Sequence, residues 1–171
     1  MKKLSLGILL SMLGNLILCQ TVFEEVTQQS GINHHFEVYE GLFGGGGCAA
    51  DFNNDGWEDL YIAGGMHPDR LYINQKDGTF KDALPFSGLE LTSKYVTQGA
   101  ISADFNKDGF VDLFITTITR ADTILTIPRA INLLFINQGD GTFKESTKEF
   151  GLDQVEAFST SAHVGDVNAD G

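Results

Sequence analysis

Oxygen-bearing side chains recur at fixed spacing in two acidic segments of this chain. In the segment DFNNDGWED they fall at positions 1, 3, 5 and 9, and position 7 adds a backbone carbonyl; the residues are Asp51, Asn53, Asp55, Asp59 and, through its carbonyl, Trp57. Gly56 at position 6 permits a sharp turn. Alternating oxygen ligands in a tight loop suit a hard cation that takes six to eight oxygens, so the pattern predicts a Ca²⁺ site. Mg²⁺ would require stricter octahedral geometry and would retain more of its water.

The same pattern returns further along the chain. In DFNKDGFVD the predicted ligands are Asp104, Asn106, Asp108, the carbonyl of Phe110, and Asp112, and the segment DVNADG begins a third set with Asp166, Asn168 and Asp170. An EF-hand would need a bidentate Glu at position 12, where Ile62 and Ile115 stand instead. A metal-free turn rich in Asp, Asn and Gly is the alternative. Calcium is favoured over that turn because three carboxylates within one turn repel each other without a cation.

Two further elements accompany each loop, which makes this a repeat sequence. LYINQKDGTFK, from Leu71, is matched by LFINQGDGTFK, from Leu134, and each copy is followed by a tail with a Gly eight residues after a Phe. The period is 57 residues from Phe23 to Phe80 and 63 from Phe80 to Phe143. The additional residues of the second unit fall within TTITRADTILTIPRA, where we expect a longer inter-strand loop or an extended hairpin.

The elements that position the loops are predicted to be short strands. Runs of aromatic and β-branched residues at 60–63, 71–74, 113–116 and 133–137 are bounded by Gly, Asp and Asn. Asp-Gly between two such runs indicates hairpins. Each unit would therefore supply about four antiparallel strands, which is one blade of a β-propeller. The predicted fold class is all-β.

The order of the repeats predicts an incomplete ring. Propellers take roughly four to eight blades, whereas this sequence holds one unit at about 44–89, a second at about 97–152 and the start of a third at 158–171. We therefore expect residues 21–171 to be the N-terminal portion of a larger propeller. Residues 22–32 form a tail with no loop before it, and we expect them to be the strand that closes the ring with strands encoded beyond Gly171.

The first twenty residues have the layout of a secretory signal peptide. Lys2 and Lys3 precede the mostly apolar run LSLGILLSMLGNLIL, and the first acids follow only at Glu24 and Glu25. The run is short for a membrane-spanning helix of about 20 residues, so we expect no transmembrane span after cleavage. A buried helix is the alternative. A lipid anchor at Cys19 is disfavoured because Leu18 stands where such signals need a small residue. The predicted location is secreted, periplasmic or at the cell surface.

Composition excludes several classes of function. The chain carries 23 Asp and Glu against 11 Lys and Arg, a formal charge of −12, which argues against nucleic acid as a partner. Two cysteines cannot form a disulfide scaffold, and Cys48 is expected to be a buried thiol in a strand. His34, His35, His67 and His163 show no spacing typical of a metal or catalytic set. The segment GLFGGGG (41–47) lacks the features of a phosphate-binding loop and is expected to be a closely packed strand. With no nucleophile motif in the sequence, we expect no enzyme.

With these residues laid out, the sequence resembles the FG-GAP/VCBS repeat family, whose blades carry a DxNxDGxxDL calcium loop and whose best-known members are integrin α-chain propellers. More narrowly, FEEVTQQSGI, GGGGCAADFNNDGWEDLYI and RLYINQKDGTFKD resemble the repeats of ASPIC/UnbV-type, cartilage-acidic-protein-like secreted proteins. The resemblance implies a calcium-stabilised propeller used for adhesion or for recognition of an extracellular protein or glycan. The alternative is the propeller portion of an extracellular enzyme, such as a polysaccharide-degrading protein.

Overall fold

The fold of the described residues is all-β, as predicted. The computed structural model describes residues 23–37, 45–118, 130–156 and 158–168. Two four-stranded antiparallel sheets hold their strands in chain order. The first sheet consists of β1 (Gly47–Ala50), β2 (Asp59–Ile62), β3 (Arg70–Asn74) and β4 (Phe80–Asp82), and the second of β5 (Val96–Ala103), β6 (Asp112–Ile118), β7 (Leu133–Asn137) and β8 (Phe143–Glu145). Helix in this part of the chain is confined to two short 3₁₀ segments, Glu90–Lys94 and Leu152–Gln154. Both sheets are consistent with blades of a partial propeller.

The outer hairpin of each sheet forms where the Asp-Gly signal predicts it. In the first sheet, Asn74 pairs with Phe80, and the N–H of Gln75 donates to the carbonyl of Thr79 at 2.9 Å. The Asp77 carboxylate accepts hydrogen bonds from the N–H of Thr79 at 2.9 Å and from its hydroxyl at 2.6 Å. The second hairpin repeats this arrangement with Asp140 and Thr142. These hydrogen bonds within the turn explain why both copies carry an Asp followed two residues later by a Thr.

The two sheets share one hydrophobic core. Alternate residues of the strands point inward, as expected for half-buried sheets. The fully buried members contributed by β2, β3, β6 and β7 are Tyr61, Leu71, Leu113, Ile115, Leu133 and Phe135. Because residues of both sheets belong to this core, the two sheets pack against each other, and β1 contacts β5.

Glycine permits the close approach between β1 and β5. The N–H of Gly46 donates to the carbonyl of Gln98 at 2.8 Å. Gln98 is the extra residue of a β-bulge between Thr97 and Gly99, and the bulge interrupts the pairing of β5 with β6. A Cβ added at Gly46 would lie 3.2 Å from the Cα of Gly99. Residues 45–47 thus have the predicted close packing, whereas residues 41–44 lie outside the described part of the chain.

Each tail packs on the outer strand of the sheet that follows it. The N–H of Phe80 donates to the carbonyl of Ser30 at 2.7 Å, and the N–H of Phe143 donates to that of Ser87 at 2.7 Å. The Gly that follows each Ser has positive φ, +78° at Gly31 and +85° at Gly88. A Cβ there would lie 2.9 Å and 2.0 Å, respectively, from the carbonyl oxygen of that Phe. This contact explains the Gly of these two tails, whereas at Gly151 of the third tail only the positive φ of +72° favours glycine.

Residues 23–32 contain a turn at 27–31 and no strand. They contact the first sheet through Ser30. The described part of this tail does not contain the expected strand. Pairing of this tail with strands further along a longer chain stays a prediction.

Several sequence predictions lie outside the described residues: the signal peptide (1–20) with Cys19, the core of the inter-strand insertion (119–129), and Asp170. The described residues contain no helix with the length and apolar character required to cross a membrane.

Candidate metal-binding loops

The first acidic loop connects β1 to β2 in the first sheet. β1 ends at Ala50 and β2 begins at Asp59, so the predicted ligands lie in the connection and on the first residue of β2. Asn54 and Gly56 have φ of +57° and +87°. Asn tolerates this left-handed backbone and Gly adopts it freely, so the chain can turn twice within a few residues.

Backbone N–H groups of the loop point at its own carboxylates. Asp51 accepts from the N–H of Asp55 at 2.9 Å and from that of Gly56 at 2.7 Å. Asn53 Oδ1 also accepts from the N–H of Asp55, at 3.1 Å. Asp55 Oδ1 accepts from the N–H of Trp57 at 3.0 Å. These bonds hold the side chains at positions 1, 3 and 5 around one turn of backbone, leaving further lone pairs on their oxygens.

Asp59 closes the loop from the buried side. Its side chain is fully buried, and it accepts from the N–H of Phe52 at 3.1 Å and from that of Asn74 at 2.9 Å. Burial raises the pKa of Asp59, and the negative charges of Asp55 and Asp51 raise it further, while the two backbone hydrogen bonds oppose the shift. Like charges in this loop therefore disfavour each other's ionised form.

The second loop, between β5 and β6, repeats this geometry residue by residue. Asp104 accepts from the N–H of Asp108 at 3.1 Å and from that of Gly109 at 2.9 Å. Asn106 Oδ1 accepts from the N–H of Asp108 at 3.0 Å, and Asp108 accepts from the N–H of Phe110 at 2.9 Å.

Asp112 corresponds to Asp59 and is equally buried. It accepts from the N–H of Phe105 at 2.8 Å and from that of Asn137 at 2.9 Å. Burial raises its pKa, the backbone hydrogen bonds from Asn137 and Phe105 oppose this, and the charges of Asp108 and Asp104 raise it further. Both loops therefore combine exposed or half-exposed carboxylates with one buried carboxylate at the start of a strand.

The donor set of each loop fits Ca²⁺. Carboxylate, amide and carbonyl oxygens are its preferred ligands, and the loop geometry gathers them at positions 1, 3, 5, 7 and 9. In the described part of the chain, however, the carboxylates of one loop do not bring three ligand oxygens within 4.8 Å of one another. Binding would therefore require these side chains to rotate inward around a backbone that is already folded.

The third predicted set is only partly described. Asp166 and Asn168 are exposed, and Asp170 lies outside the described residues. The third set therefore stays a prediction.

Sequence reasoning missed two residues beside the loops. Asn74 donates its side-chain N–H to the carbonyl of Glu58 at 3.0 Å, and Asn137 donates to the carbonyls of Val111 at 3.0 Å and Phe52 at 2.8 Å. Their signal in the sequence is the recurrent Ile-Asn pair of the hairpin strands. Each Asn lies on the third strand of its sheet and hydrogen-bonds to the end of an acidic loop. Asn137 also connects the second sheet to the first loop by a hydrogen bond.

Sequence reasoning also missed Lys76. Its ammonium lies 3.2 Å from Asp55 Oδ2, a predicted metal ligand. Burial of Asp55 opposes ionisation, but hydrogen bonds from Asn53, Lys76 and Trp57 outweigh it and lower the pKa of Asp55. The equivalent position of the second unit is Gly139, so the second unit has no lysine at this position, although its loop contains Lys107.

Two four-stranded antiparallel sheets, each with an acidic loop between its first two strands, are the features of a propeller-type repeat domain. Residues 51–115, from the first ligand of the first loop to the middle of β6, match the FG-GAP-like repeat. This match supports the FG-GAP family for the repeats. No curated protein matches the chain.

Proposed function

We propose that this chain is a non-catalytic, calcium-binding propeller-type repeat domain that works outside the cytoplasm. Its calcium ions would be structural, and its surfaces would recognise an extracellular protein or a glycan, as in adhesion. The carrying observation is the duplicated loop, in which hydrogen-bonded carboxylates surround a turn and a buried Asp59 or Asp112 closes it.

The electrostatics of the loops support a cation. The charges of Asp51 and Asp55 help raise the pKa of Asp59, which means that ionising all three carboxylates is unfavourable. A bound Ca²⁺ supplies the positive charge that offsets this repulsion. The residues that would hold it are those of the two loops: Asp51, Asn53, Asp55, Trp57 and Asp59 in the first, and Asp104, Asn106, Asp108, Phe110 and Asp112 in the second.

The position of the loops supports a structural role. Each loop joins the first two strands of its sheet, and the first loop also contacts the second sheet through Phe52. Fixing the loop would therefore fix both the sheet and its neighbour. An extracellular site of this kind works at affinities of about 10⁻⁴–10⁻³ M, which suits calcium outside the cytoplasm.

The proposal also includes export from the cytoplasm and membership of a narrower subfamily. The signal-like residues 1–20 support secretion to the periplasm, the cell surface or the medium. The tail, Gly-rich strand and hairpin segments support an ASPIC/UnbV-type, cartilage-acidic-protein-like subfamily. A glycan array and a pull-down from extracellular proteins, with turnover assayed in parallel, test recognition; turnover of a bound polysaccharide would favour the enzyme alternative.

Calcium binding is tested by thermal unfolding with and without chelator. We expect EDTA to lower the melting temperature and added Ca²⁺ to restore it, since a ligand at 100 times its Kd stabilises the folded state by about 2.7 kcal/mol per site. The double variant D51N/D104N removes one charge from each loop and should lose most of this response.

Glu24→Gln is the matched control, because it removes an exposed carboxylate outside the loops. It should keep the full response to Ca²⁺. An unchanged melting curve of the parent chain in EDTA would count against calcium in either loop.

A further inference from the structure

Three metal-ligand side chains meet at the end of the first sheet opposite the acidic loop. His35, Glu37 and His67 each place one ligand atom within 4.8 Å of those of the other two, and they form the one such group of His, Cys, Asp and Glu in the described residues. The acidic loop precedes β2, whereas His67 follows it. The two candidate sites are therefore separated by the length of a strand. We call these three residues the histidine cluster.

Backbone contacts hold the two halves of the histidine cluster together. The N–H of Glu37 donates to the carbonyl of Gly64 at 3.2 Å, and the N–H of Met66 donates to the carbonyl of Glu37 at 2.7 Å. Gly65 pairs with Glu37 in a parallel bridge, with φ of +70°. A Cβ on Gly65 would lie 2.3 Å from the Glu37 carbonyl oxygen, so the approach requires glycine. This bridge brings together residues that the chain separates by about thirty positions, and the spacing of the histidines therefore hides the cluster.

The side chains of the histidine cluster already contact one another. His67 Nε2 lies 2.6 Å from Glu37 Oε2. The rings of His35 and His67 meet edge to face, with centroids 4.7 Å apart and planes at 81°. The His67 and Glu37 side chains are 41% and 53% exposed, so an ion could reach them from solvent and the side chains could adjust around it.

From this geometry we infer that the histidine cluster binds a divalent transition metal, with Zn²⁺ as the expected ion. Two imidazoles and one carboxylate form a three-ligand zinc set that leaves a fourth position for water. Imidazole suits Zn²⁺, Cu²⁺ and Ni²⁺, whereas Ca²⁺ takes oxygen ligands, so this site would differ in metal from the acidic loops.

The observed distances are compatible with a single ion. At metal–ligand distances of about 2.0–2.2 Å, two ligands of a tetrahedral Zn²⁺ lie about 3.4 Å apart. The cluster spans this value, from 2.6 Å for the His67–Glu37 pair to an upper limit of 4.8 Å. Binding would separate the His67 and Glu37 side chains and bring His35 onto the ion.

The test is a titration of the full 171-residue chain with ZnCl₂ in saturating Ca²⁺, followed by the histidine ring resonances in NMR. We expect the resonances of His35 and His67 to shift and to saturate at one equivalent, while that of the exposed His163 stays in place. Isothermal calorimetry under the same conditions gives the affinity. Ring resonances that remain fixed, or that shift equally for all histidines, would overturn the proposal and leave the cluster as a hydrogen-bonded ion pair.

Variants assign the ligands. H67Q and H35Q should each weaken Zn²⁺ binding by more than the roughly 10–100-fold that loss of an outer-shell partner costs. H163Q, which removes a histidine outside the cluster, should bind Zn²⁺ as the parent does. Circular dichroism confirms that each variant is folded. Equal affinity in the parent and in a folded H67Q would contradict the assignment.

Discussion

The first acidic loop is covered by the neighbouring sheet, whereas the second loop, of nearly the same sequence, is largely exposed. Phe52 follows Asp51 and is fully buried, with its ring edge to face with Phe143 of the second sheet at 5.6 Å. Phe105 follows Asp104, is half-buried, and lies 6.4 Å from Phe114 of its own sheet. Asn53 also approaches the second hairpin, since a Cβ at Gly141 would lie 3.6 Å from it. Two loops of nearly the same sequence therefore have different surroundings, because different parts of the chain pack beside them.

The difference extends to charge. Lys76 lies beside Asp55 in the first loop. At the equivalent place in the second unit, the ring of Phe110 covers Gly139, where a Cβ would lie 2.6 Å from Phe110 Cζ. A lysine side chain has no room there unless Phe110 moves. The first loop is therefore stabilised by its neighbours and has a lysine beside Asp55, whereas the second loop has Lys107 within its own sequence.

The largest expected difference between the loops is in packing. Phe52→Ala should lower the free energy of unfolding by about 3–5 kcal/mol, because it leaves a cavity between the two sheets. Phe105→Ala, at the same position of the second loop, should cost less than half as much because its ring is already half-exposed. Urea denaturation of both variants measures the difference. Equal losses would show that the contact of Phe52 with the second sheet adds nothing to the free energy of unfolding.

The inner strands offer a second contrast, since β1 carries Cys48 where β5 carries Ile101. Burial raises the pKa of Cys48 to about 11, although a hydrogen bond with Ser102 opposes the shift. The thiolate should therefore be more than about 100-fold scarcer in the folded than in the unfolded chain near pH 8. Iodoacetamide labelling of a Cys19→Ser variant, with and without urea, measures this as a rate ratio. Similar rates in both states would mean that Cys48 is not protected by the sheet.

The same pKa shift gives a pH dependence of stability. Since the folded chain holds the Cys48 proton more tightly than the unfolded chain does, this contribution is complete below the ordinary thiol pKa. It is lost as pH rises toward about 11. Cys48→Ala should therefore flatten the decline of the free energy of unfolding between about pH 8.5 and 11. Cys48 is half-buried in β1, not fully buried as expected, and an unchanged pH profile would contradict its raised pKa.

The hairpin asparagines should differ by a smaller amount. Asn137→Ala removes three side-chain hydrogen bonds from a residue that is 2% exposed: two donated to the Phe52 and Val111 carbonyls and one accepted from the N–H of Gly139. We expect a loss of about 1–3 kcal/mol in the free energy of unfolding. Asn74→Ala removes two side-chain hydrogen bonds from a half-buried residue and should cost about 0.5–1.5 kcal/mol. A larger loss of stability for Asn74→Ala than for Asn137→Ala would contradict this expectation.

The smallest expected effect concerns Lys76 and depends on the proposed calcium sites. Lys76→Met removes a cation 3.2 Å from Asp55 and should raise the calcium affinity of the first loop a few-fold, because half-exposed ion pairs contribute about 0.2–1 kcal/mol. Calorimetry on the D104N background isolates the first loop. Lys81→Met, on the exposed side of β4, is the control and should leave the affinity unchanged. Weaker binding by Lys76→Met would mean that the lysine supports the loop.

Much of the local structure could be predicted from short stretches of sequence. The runs at 60–63, 71–74, 113–116 and 133–137 became β2, β3, β6 and β7 with boundaries shifted by at most two residues, because short aromatic and β-branched runs and Asp-Gly turns are local signals. The positions of Asp59 and Asp112 could not be anticipated in the same way. Their burial depends on Asn74 and Asn137, which belong to strands further along the chain.

The repeat, the strand pattern and the oxygen-bearing residues of the acidic loops can be identified from local sequence, since each depends on residues within about ten positions of one another. The neighbours that these residues contact depend on how distant segments pack. The Ser30–Phe80 and Ser87–Phe143 contacts place two tails on the sheets that follow them, and the Glu37–Gly65 bridge brings two distant histidines together. The physical reason is that backbone hydrogen bonds between distant segments depend on how the sheets pack.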